Sequence, residues 1–317
     1  MADATGSEPI EVVSVNVAGA KGVSKKPVAE IEVFELGVRD DAHAGPGPRQ
    51  VSLLAWESVE RFARLAERSF QPGEFAENIT FQGLSAPVGL LDRLRIGTVE
   101  LLVTQLGKTC HGQRCAIFQE VGRCIMPQEG LFARVLHGGI IRPGDRMEYL
   151  PRVQRVSLIT LSDRAFCGAY PDRSGPRLRE LVEGFFRERN VRIELETRLL
   201  PDEPERLRQE IQAALCAGVD LLITTGGTGV GPRDCAPDVV AGLCDKLIPG
   251  IMEAIRVHHG ATNPGALLSR AVAGVAGTAL LYTLPGSVRA VEEYWTEIQK
   301  SLEHLVYMIH GVEAHGR

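Results

Sequence analysis

Leu221-Leu222-Ile223-Thr224-Thr225-Gly226-Gly227-Thr228-Gly229-Val230-Gly231-Pro232-Arg233-Asp234 decides how the C-terminal half folds. Five apolar or β-branched residues form a strand that reads as buried on both faces, as in a parallel sheet. The chain then meets four glycines within six residues. Glycines at the C-terminal end of such a strand let the backbone approach a ligand closely, and successive N–H groups there make an anion nest. Gly226, Gly227 and Gly229, with the hydroxyls of Thr225 and Thr228, make a polyphosphate the natural guest. The loop is not a Walker loop, since Gly-Lys-Ser/Thr is missing, and it does not have the Gly-x-Gly-x-x-Gly spacing that opens a dinucleotide-binding helix. The competing reading is a tight turn that merely needs glycine.

Working outward from this strand, the second half alternates strand and helix. Residues 156–161 form an apolar β-branched run. Ser174 reads as a helix N-cap with Pro176 just inside, and Leu178, Leu181, Val182, Phe185 and Phe186 share one helical face. Residues 191–200 alternate as a strand, and residues 204–217 form a helix closed by Gly218. Further helices are expected over 237–245 and 250–258, a last strand over 278–284 and a last helix over 288–309. This order predicts a three-layer α/β/α domain with a mostly parallel sheet over residues 151–317.

Several turns should meet at one sheet edge. Asp234 follows the glycine loop, and Asp202 lies at a neighbouring strand end in Leu200-Pro201-Asp202-Glu203. Two carboxylates beside phosphates suit Mg²⁺, which neutralises charge in phosphoryl transfer. Each also has a plainer reading: Asp202 as the cap of the helix at Pro204, Asp234 as a cap or salt bridge. Ser162 and Asp163 leave the first strand, Ser174 and Gly175 open its helix, and Gly286 with Ser287 opens the last helix. Each helix N-terminus is a further anion site.

Residues 1–150 have a different rhythm. Short apolar runs at 12–17, 29–36, 51–54, 98–104 and 131–136 are separated by Gly and Pro, and only 57–68 has a helical period. A mostly β barrel or sandwich is expected, joined to the second half by a linker within residues 143–155. The chain has 317 residues, 44% hydrophobic and 24% charged, enough for two ordinary cores. A net charge of -5 gives no reason to propose nucleic acid or an anionic membrane as partner, so an anionic substrate must be met by local donors. No secretory signal is evident at the N-terminus. The apolar stretch 266–284 is interrupted by Arg270 and several glycines, against a membrane span. Seven scattered cysteines make a poor disulfide framework, and a reducing cytoplasm is expected.

Three of those cysteines, Cys110, Cys115 and Cys124, crowd with His111 into one segment. Their spacing fits zinc poorly. Cys110 stands between Lys108 and His111 with Arg114 close by, and positive neighbours activate a thiol. Cys115 and Cys124 read as structural, and Cys167 and Cys235 as small packing residues.

The motifs Ser162-Asp163-Arg164, Tyr170-x-Asp172-x-Ser174-Gly175-Pro176, Thr225-Gly226-Gly227-Thr228-Gly229, Gly231-Pro232-Arg233-Asp234 and Leu284-Pro285-Gly286 together resemble the molybdopterin adenylyltransferase family over residues 153–312. The resemblance implies AMP transfer from Mg·ATP to the terminal phosphate of molybdopterin, with release of pyrophosphate, and a homotrimer. It makes Asp202 and Asp234 the catalytic, Mg²⁺-holding residues. One departure is visible: where the family continues x-Thr-Pro-Glu, this chain has Cys235-Ala236-Pro237-Asp238. If the missing hydroxyl touches phosphate, its loss would cost about 1 kcal/mol.

In the first half, His43-Ala44-Gly45, Arg49-Gln50-Val51-Ser52-Leu53-Leu54, Pro72-Gly73-Glu74-Phe75-Ala76-Glu77-Asn78-Ile79-Thr80, Gly107-Lys108-Thr109-Cys110 and Gly138-Gly139-Ile140-Ile141-Arg142-Pro143-Gly144-Asp145 resemble the MOSC domain. That implies a β barrel that binds molybdenum cofactor or carries sulfur on Cys110, and it brings an association with pyridoxal phosphate and molybdenum ion binding. His43, Arg49 and Asn78 are candidates to hold an anionic pterin, or are satisfied core groups. Two roles follow for the whole chain: an enzyme of molybdenum cofactor biosynthesis, or a non-catalytic carrier that delivers the cofactor to molybdoenzymes.

Overall fold

The computed structural model describes residues 9–108, 124–189 and 191–312, which form two compact units: the residues up to Arg152 together with Gly311 and Val312, and Val153–His310. In the first unit, seven strands close into a barrel. They are β1 (Ile10–Val17), β5 (Val51–Ala55), β6 (Ile79–Gln82), β7 (Arg93–Ile96), β8 (Val99–Leu106), β9 (Leu131–His137) and β11 (Arg146–Leu150). The short strands β2 (Lys26–Val28), β3 (Ile31–Phe34), β4 (Gly37–Val38) and β10 (Gly139–Ile141) lie outside the ring. The order is β11-β7-β8-β9-β5-β6-β1, and pairing of β1 with β11 completes the closure. Closure leaves the ring without an unpaired edge. Val12, Leu53, Phe81, Leu94, Leu101 and Met147 fill the interior. The one helical period of this half is α1 (Trp56–Ala66), whose Phe62 joins Phe70 and Phe75 in a separate aromatic cluster. A second, four-residue helix, α2, spans Met126–Glu129.

The second unit is a six-stranded sheet in the order β13-β12-β14-β17-β16-β15. Strands β12 (Val153–Leu161), β13 (Arg192–Leu200), β14 (Leu221–Thr225) and β17 (Ala279–Leu284) are parallel, while β15 (Lys246–Leu247) and β16 (Ala273–Ala276) add an antiparallel edge. Every residue of β14 and β17 is buried, as expected when helices cover both faces. One face packs α5 (Pro204–Cys216) and α6 (Ala236–Ala241) through Leu207, Ile211 and Val240. The other packs α4 (Ser174–Glu188) and α8 (Val288–Ile309), whose Phe185 and Trp295 rings meet edge to face at 5.6 Å. The short α3 (Asp163–Phe166) follows β12, and α7 (Pro249–Gly260) packs on α8.

Several local expectations need correction. Residues 146–150 are the closing strand of the barrel, not linker, so only Pro151 and Arg152 separate β11 from β12. Ser174 is the first residue of α4 rather than its cap; Arg173 holds the cap position. Cys167 is exposed rather than packed.

Candidate active site and barrel cavity

The register of the parallel strands brings the candidate residues together. Leu161 pairs with Leu200, Thr160 with Thr225, and Thr225 with Leu284. The segments after β12, β13, β14 and β17 therefore start at the same height. Because β13 lies on one side of β12 and β14 on the other, a crevice opens between their C-terminal ends. A cavity of about 590 Å³ occupies this edge. Ser162, Asp163, Ser174, Asp202, Gly226, Gly227, Asp234, Gly286 and Ser287 all line it. Gly175, Thr225, Thr228 and Gly229 are not among the residues that line it.

Two aspartates clasp each other by their backbones. The Asp163 N–H donates to Asp202 Oδ2 and the Asp202 N–H donates to Asp163 Oδ1, both at 3.1 Å. Arg233, from the glycine loop, forms an ion pair with Asp163 Oδ2. Asp234 Oδ2 accepts the Gly231 N–H at 2.8 Å. Oδ1 of Asp202 and Oδ1 of Asp234 accept no hydrogen bond among the described residues, and both side chains are half-buried. Each carboxylate thus retains an oxygen of the hard kind that a divalent cation such as Mg²⁺ would take.

Glycine is required in this loop for two distinct reasons. Gly226 has φ +102°, and a Cβ there would lie 2.2 Å from the Leu161 carbonyl oxygen. At Gly229 a Cβ would lie 2.7 Å from Asp234 Oδ2, so the glycine makes room for that carboxylate. The N–H groups of Gly227, Thr228 and Gly229 donate to no acceptor among the described residues, which leaves a nest for an anion. Thr225 has another duty: its hydroxyl donates to the Pro285 carbonyl at 3.0 Å and ties the loop after β17 to β14. Ser162 and Ser287 are helix caps, accepting from the Ala165 and Ala290 N–H groups.

Arg270, which sequence reasoning did not connect with the site, ties the loop together. Its Nε donates to the Gly229 carbonyl at 2.8 Å, Nη2 to the Asp234 carbonyl at 2.8 Å, and Nη1 to Asp238 Oδ1 at 2.9 Å. Its own N–H donates to the Thr228 carbonyl. Asp172 was likewise missed as an acceptor: it takes the hydroxyls of Thr160 and Ser174 and the N–H of Gly175, so it does the capping assigned to Ser174. Ala236 is fully buried, and Cys235 is buried with its thiol pushed up by desolvation and by Asp202, unsuited to act as a nucleophile.

The barrel has its own cavity, of about 740 Å³. His43, Arg49, Asn78 and Lys108 all line it, as does Cys124; Cys110, His111 and Cys115 lie outside the described residues. Beneath His43 is a buried polar cluster that nothing in the sequence announced. Lys25 and Asp41 form an ion pair at 2.8 Å with both side chains 1% exposed. The N–H of His43 donates to Asp41 Oδ1 and Asn78 Nδ2 donates to Asp41 Oδ2. Burial opposes the charge on Asp41, but the bonds from His43 and Lys25 outweigh it and hold this carboxyl well below the usual carboxylate range. Burial pushes the Lys25 ammonium down, with Asp41 resisting. Glu77 is fully buried, and desolvation raises its carboxyl despite bonds from Gly73 and Thr80.

Comparison with known proteins places both units. Residues 157–304 match the family described as a probable molybdopterin binding domain, and residues 40–148 match the MOSC domain. The chain is 35% identical over 165 residues to a molybdopterin adenylyltransferase of Escherichia coli (strain K12), covering 50% of this chain and 80% of that protein. It is 32% identical over 221 residues to a molybdenum cofactor biosynthesis bifunctional protein of Synechococcus elongatus, covering 70% of this chain and 60% of that one. The crystal structure of the molybdopterin biosynthesis enzyme MoaB from Thermus thermophilus aligns with a TM-score of 0.45 and 34% identity, over 50% of this chain and 97% of that one. Among the described residues no helix is long and apolar enough to cross a membrane.

Proposed function

This chain belongs to the molybdopterin-binding family of molybdenum cofactor biosynthesis, with a MOSC domain ahead of it in sequence, and from that premise we propose that its second unit adenylylates molybdopterin with Mg·ATP and releases pyrophosphate. The observation that carries this reading is the convergence of four strand ends on one cavity, with Asp202 and Asp234 each keeping one carboxylate oxygen unengaged among the described residues. An oxygen of the pterin's terminal phosphate attacks the α-phosphorus of ATP. A new P–O bond forms, the bond to the β-phosphate oxygen breaks, and pyrophosphate leaves. The attacking phosphate is already anionic, so no strong general base is needed.

The chain's own part is positioning and charge. Asp202 and Asp234 would hold Mg²⁺, which when bound neutralises charge building on the phosphate oxygens. The N–H groups of Gly227, Thr228 and Gly229 receive phosphate oxygens. The N-terminus of α8, at Gly286 and Ser287, and the turn at Ser162 offer the second anion position. Arg233 is placed to exchange Asp163 for a phosphate. A homotrimer belongs to the same reading and is tested by analytical ultracentrifugation.

The barrel is assigned the binding of the cofactor's anionic pterin. Arg49 and Lys108 supply positive charge in its cavity and Asn78 is fixed by Asp41. Cys110, two residues beyond Lys108, is the thiol that would carry sulfur. The first test is pyrophosphate release by the purified protein given Mg·ATP and molybdopterin, beside Asp234→Asn. Release by the wild type that collapses in the variant is the expected result. Tight molybdopterin binding without release would leave a non-catalytic cofactor carrier.

A further inference from the structure

His258 and His259 close α7 opposite Glu297 of α8, and none of the three lines either cavity described above. One nitrogen from each imidazole and one oxygen of Glu297 lie within 4.8 Å of one another, the one group of three such ligands to converge among the described residues. His258 Nδ1 stands 3.5 Å from Glu297 Oε1. That is long for a hydrogen bond. It is close to the edge of a zinc tetrahedron, about 3.3–3.4 Å for ligand bonds of about 2.0–2.1 Å.

The surroundings support coordination. His259 Nε2 is buried and has no hydrogen-bond partner among the described residues, while Nδ1 of the same ring faces Glu293 Oε2 at 3.8 Å. A free nitrogen on one side of an imidazole and a carboxylate on the other is the arrangement by which proteins orient metal-binding histidines. Lys300 engages Glu297 through Oε2 and Arg289 engages Glu293 through Oε1, each at 2.7 Å. Both cations therefore leave the inward-facing oxygens to the histidines. The two rings are stacked, 4.7 Å apart and 5° from parallel. Since a ring's lone pair lies in its plane, one ring must turn to share an ion. His258, with 66% of its side chain exposed, is free to do so.

We propose that His258, His259 and Glu297 form a site for a borderline divalent transition-metal ion of the zinc class, with an open fourth position and Glu293 orienting His259. Two imidazoles and a carboxylate discriminate against Mg²⁺, which demands oxygen ligands in octahedral geometry, so this site is chemically distinct from the one at Asp202 and Asp234. A bound ion would tie the last turn of α7 to α8. It would also steady Arg256 of α7, which donates to the Ser269 and Ala271 carbonyls on either side of Arg270.

The test uses the full chain, with Co²⁺ as a spectroscopic probe and Zn²⁺ in competition. Because cysteines elsewhere can also take these ions, the wild type is compared with His258→Ala/His259→Ala, with Glu293→Gln, and with a Cys110→Ser/Cys115→Ser/Cys124→Ser triple variant. The expected result is one Co²⁺ per chain without thiolate charge-transfer bands, retained in the cysteine variant and lost in the double-histidine variant. Glu293→Gln should weaken binding by about 10-fold or more, and Mg²⁺ in excess should not displace the probe. Unchanged stoichiometry and affinity in the double-histidine variant, or binding that vanishes with the cysteines, would overturn the assignment.

Discussion

Replacing Arg270 with alanine isolates the contribution of loop positioning. The change removes two charge-assisted hydrogen bonds to the Gly229 and Asp234 carbonyls and one ion pair with Asp238. The ion pair is exposed on both sides, 37% and 66%, and contributes at most about 0.5 kcal/mol. A charge-assisted bond contributes about 1.5–3 kcal/mol when shielded; with Arg270 a third exposed, about 1 kcal/mol each is the fair figure. The total, about 2–3 kcal/mol, corresponds to roughly 30–150-fold in an equilibrium at about 1.4 kcal/mol per decade. These contacts touch the loop rather than the barrel or sheet core, so the loss should appear as local opening. Pyrophosphate release by Arg270→Ala is expected to fall by one to two orders of magnitude in kcat/KM, with only a small drop in Tm. Arg270→Lys should lie between, because an ammonium can keep Asp238 but cannot span both carbonyls as the planar guanidinium does. Trypsin supplies a readout independent of catalysis: cleavage after Arg233, in the loop, should accelerate in the alanine variant. Activity within twofold of wild type together with unchanged cleavage would refute the reasoning.

Three further outcomes are expected. Gly226→Ala should lose about 2–4 kcal/mol of stability in chemical denaturation, since it combines a positive φ with a Cβ driven against the Leu161 carbonyl; a loss below about 0.5 kcal/mol would mean the strand end relaxes freely. Lys25→Met should cost about 3–5 kcal/mol by leaving Asp41 charged and buried. Because the Asp41 carboxyl is depressed on folding, its contribution is present above the unfolded value of about 3.9 and fades as pH falls through the folded one; the acid limb of the wild-type stability curve should therefore flatten in this variant, and an identical limb would count against the pair. Glu77 has the opposite sign. A carboxyl raised on folding favours the folded state at low pH and opposes it as pH rises, so Glu77→Gln, which keeps an oxygen for Gly73 and Thr80, should gain about 1 kcal/mol at pH 8 and less at pH 4, read as ΔTm.

How far each element was legible depended on where its partners lie. Strand β14 and helix α8 have the bounds the sequence suggested, Leu221–Thr225 and Val288–Ile309. A strand buried on both faces writes itself as an unbroken apolar run, and a long helix with one core stripe repeats its period several times. Strand β11, Arg146-Met147-Glu148-Tyr149-Leu150, reads as linker in the sequence because its charges dominate. In the barrel those charges point outward while Met147 reaches the core, and the strand is held by partners β7 and β1 far away in sequence. The same alternation conceals β7, Arg93-Leu94-Arg95-Ile96. Strand β16, only four residues of Ala, Gly and Val, is lost in the apolar stretch before β17.

The cavity at the sheet edge shows the same division between local and distant information. Asp202 and Gly226 could be named in advance because they follow the ends of β13 and β14 closely, and Asp234 because it closes the glycine loop. What holds them could not. In the sequence Arg270 is only a charge that speaks against a membrane span, yet it lies 36 residues from Asp234, whose carbonyl it binds, and 32 from Asp238. That contact also gives the departure at Asp238 a physical place. The shorter carboxylate is engaged with Arg270, and Ala236 is fully buried with its N–H on the Gly227 carbonyl. Position 236 therefore supports the glycine loop through packing and backbone, and position 238 through the arginine. Both contacts bear on the loop that carries Asp234, so the departure is read as a change in loop rigidity, the property that the Arg270 variants measure.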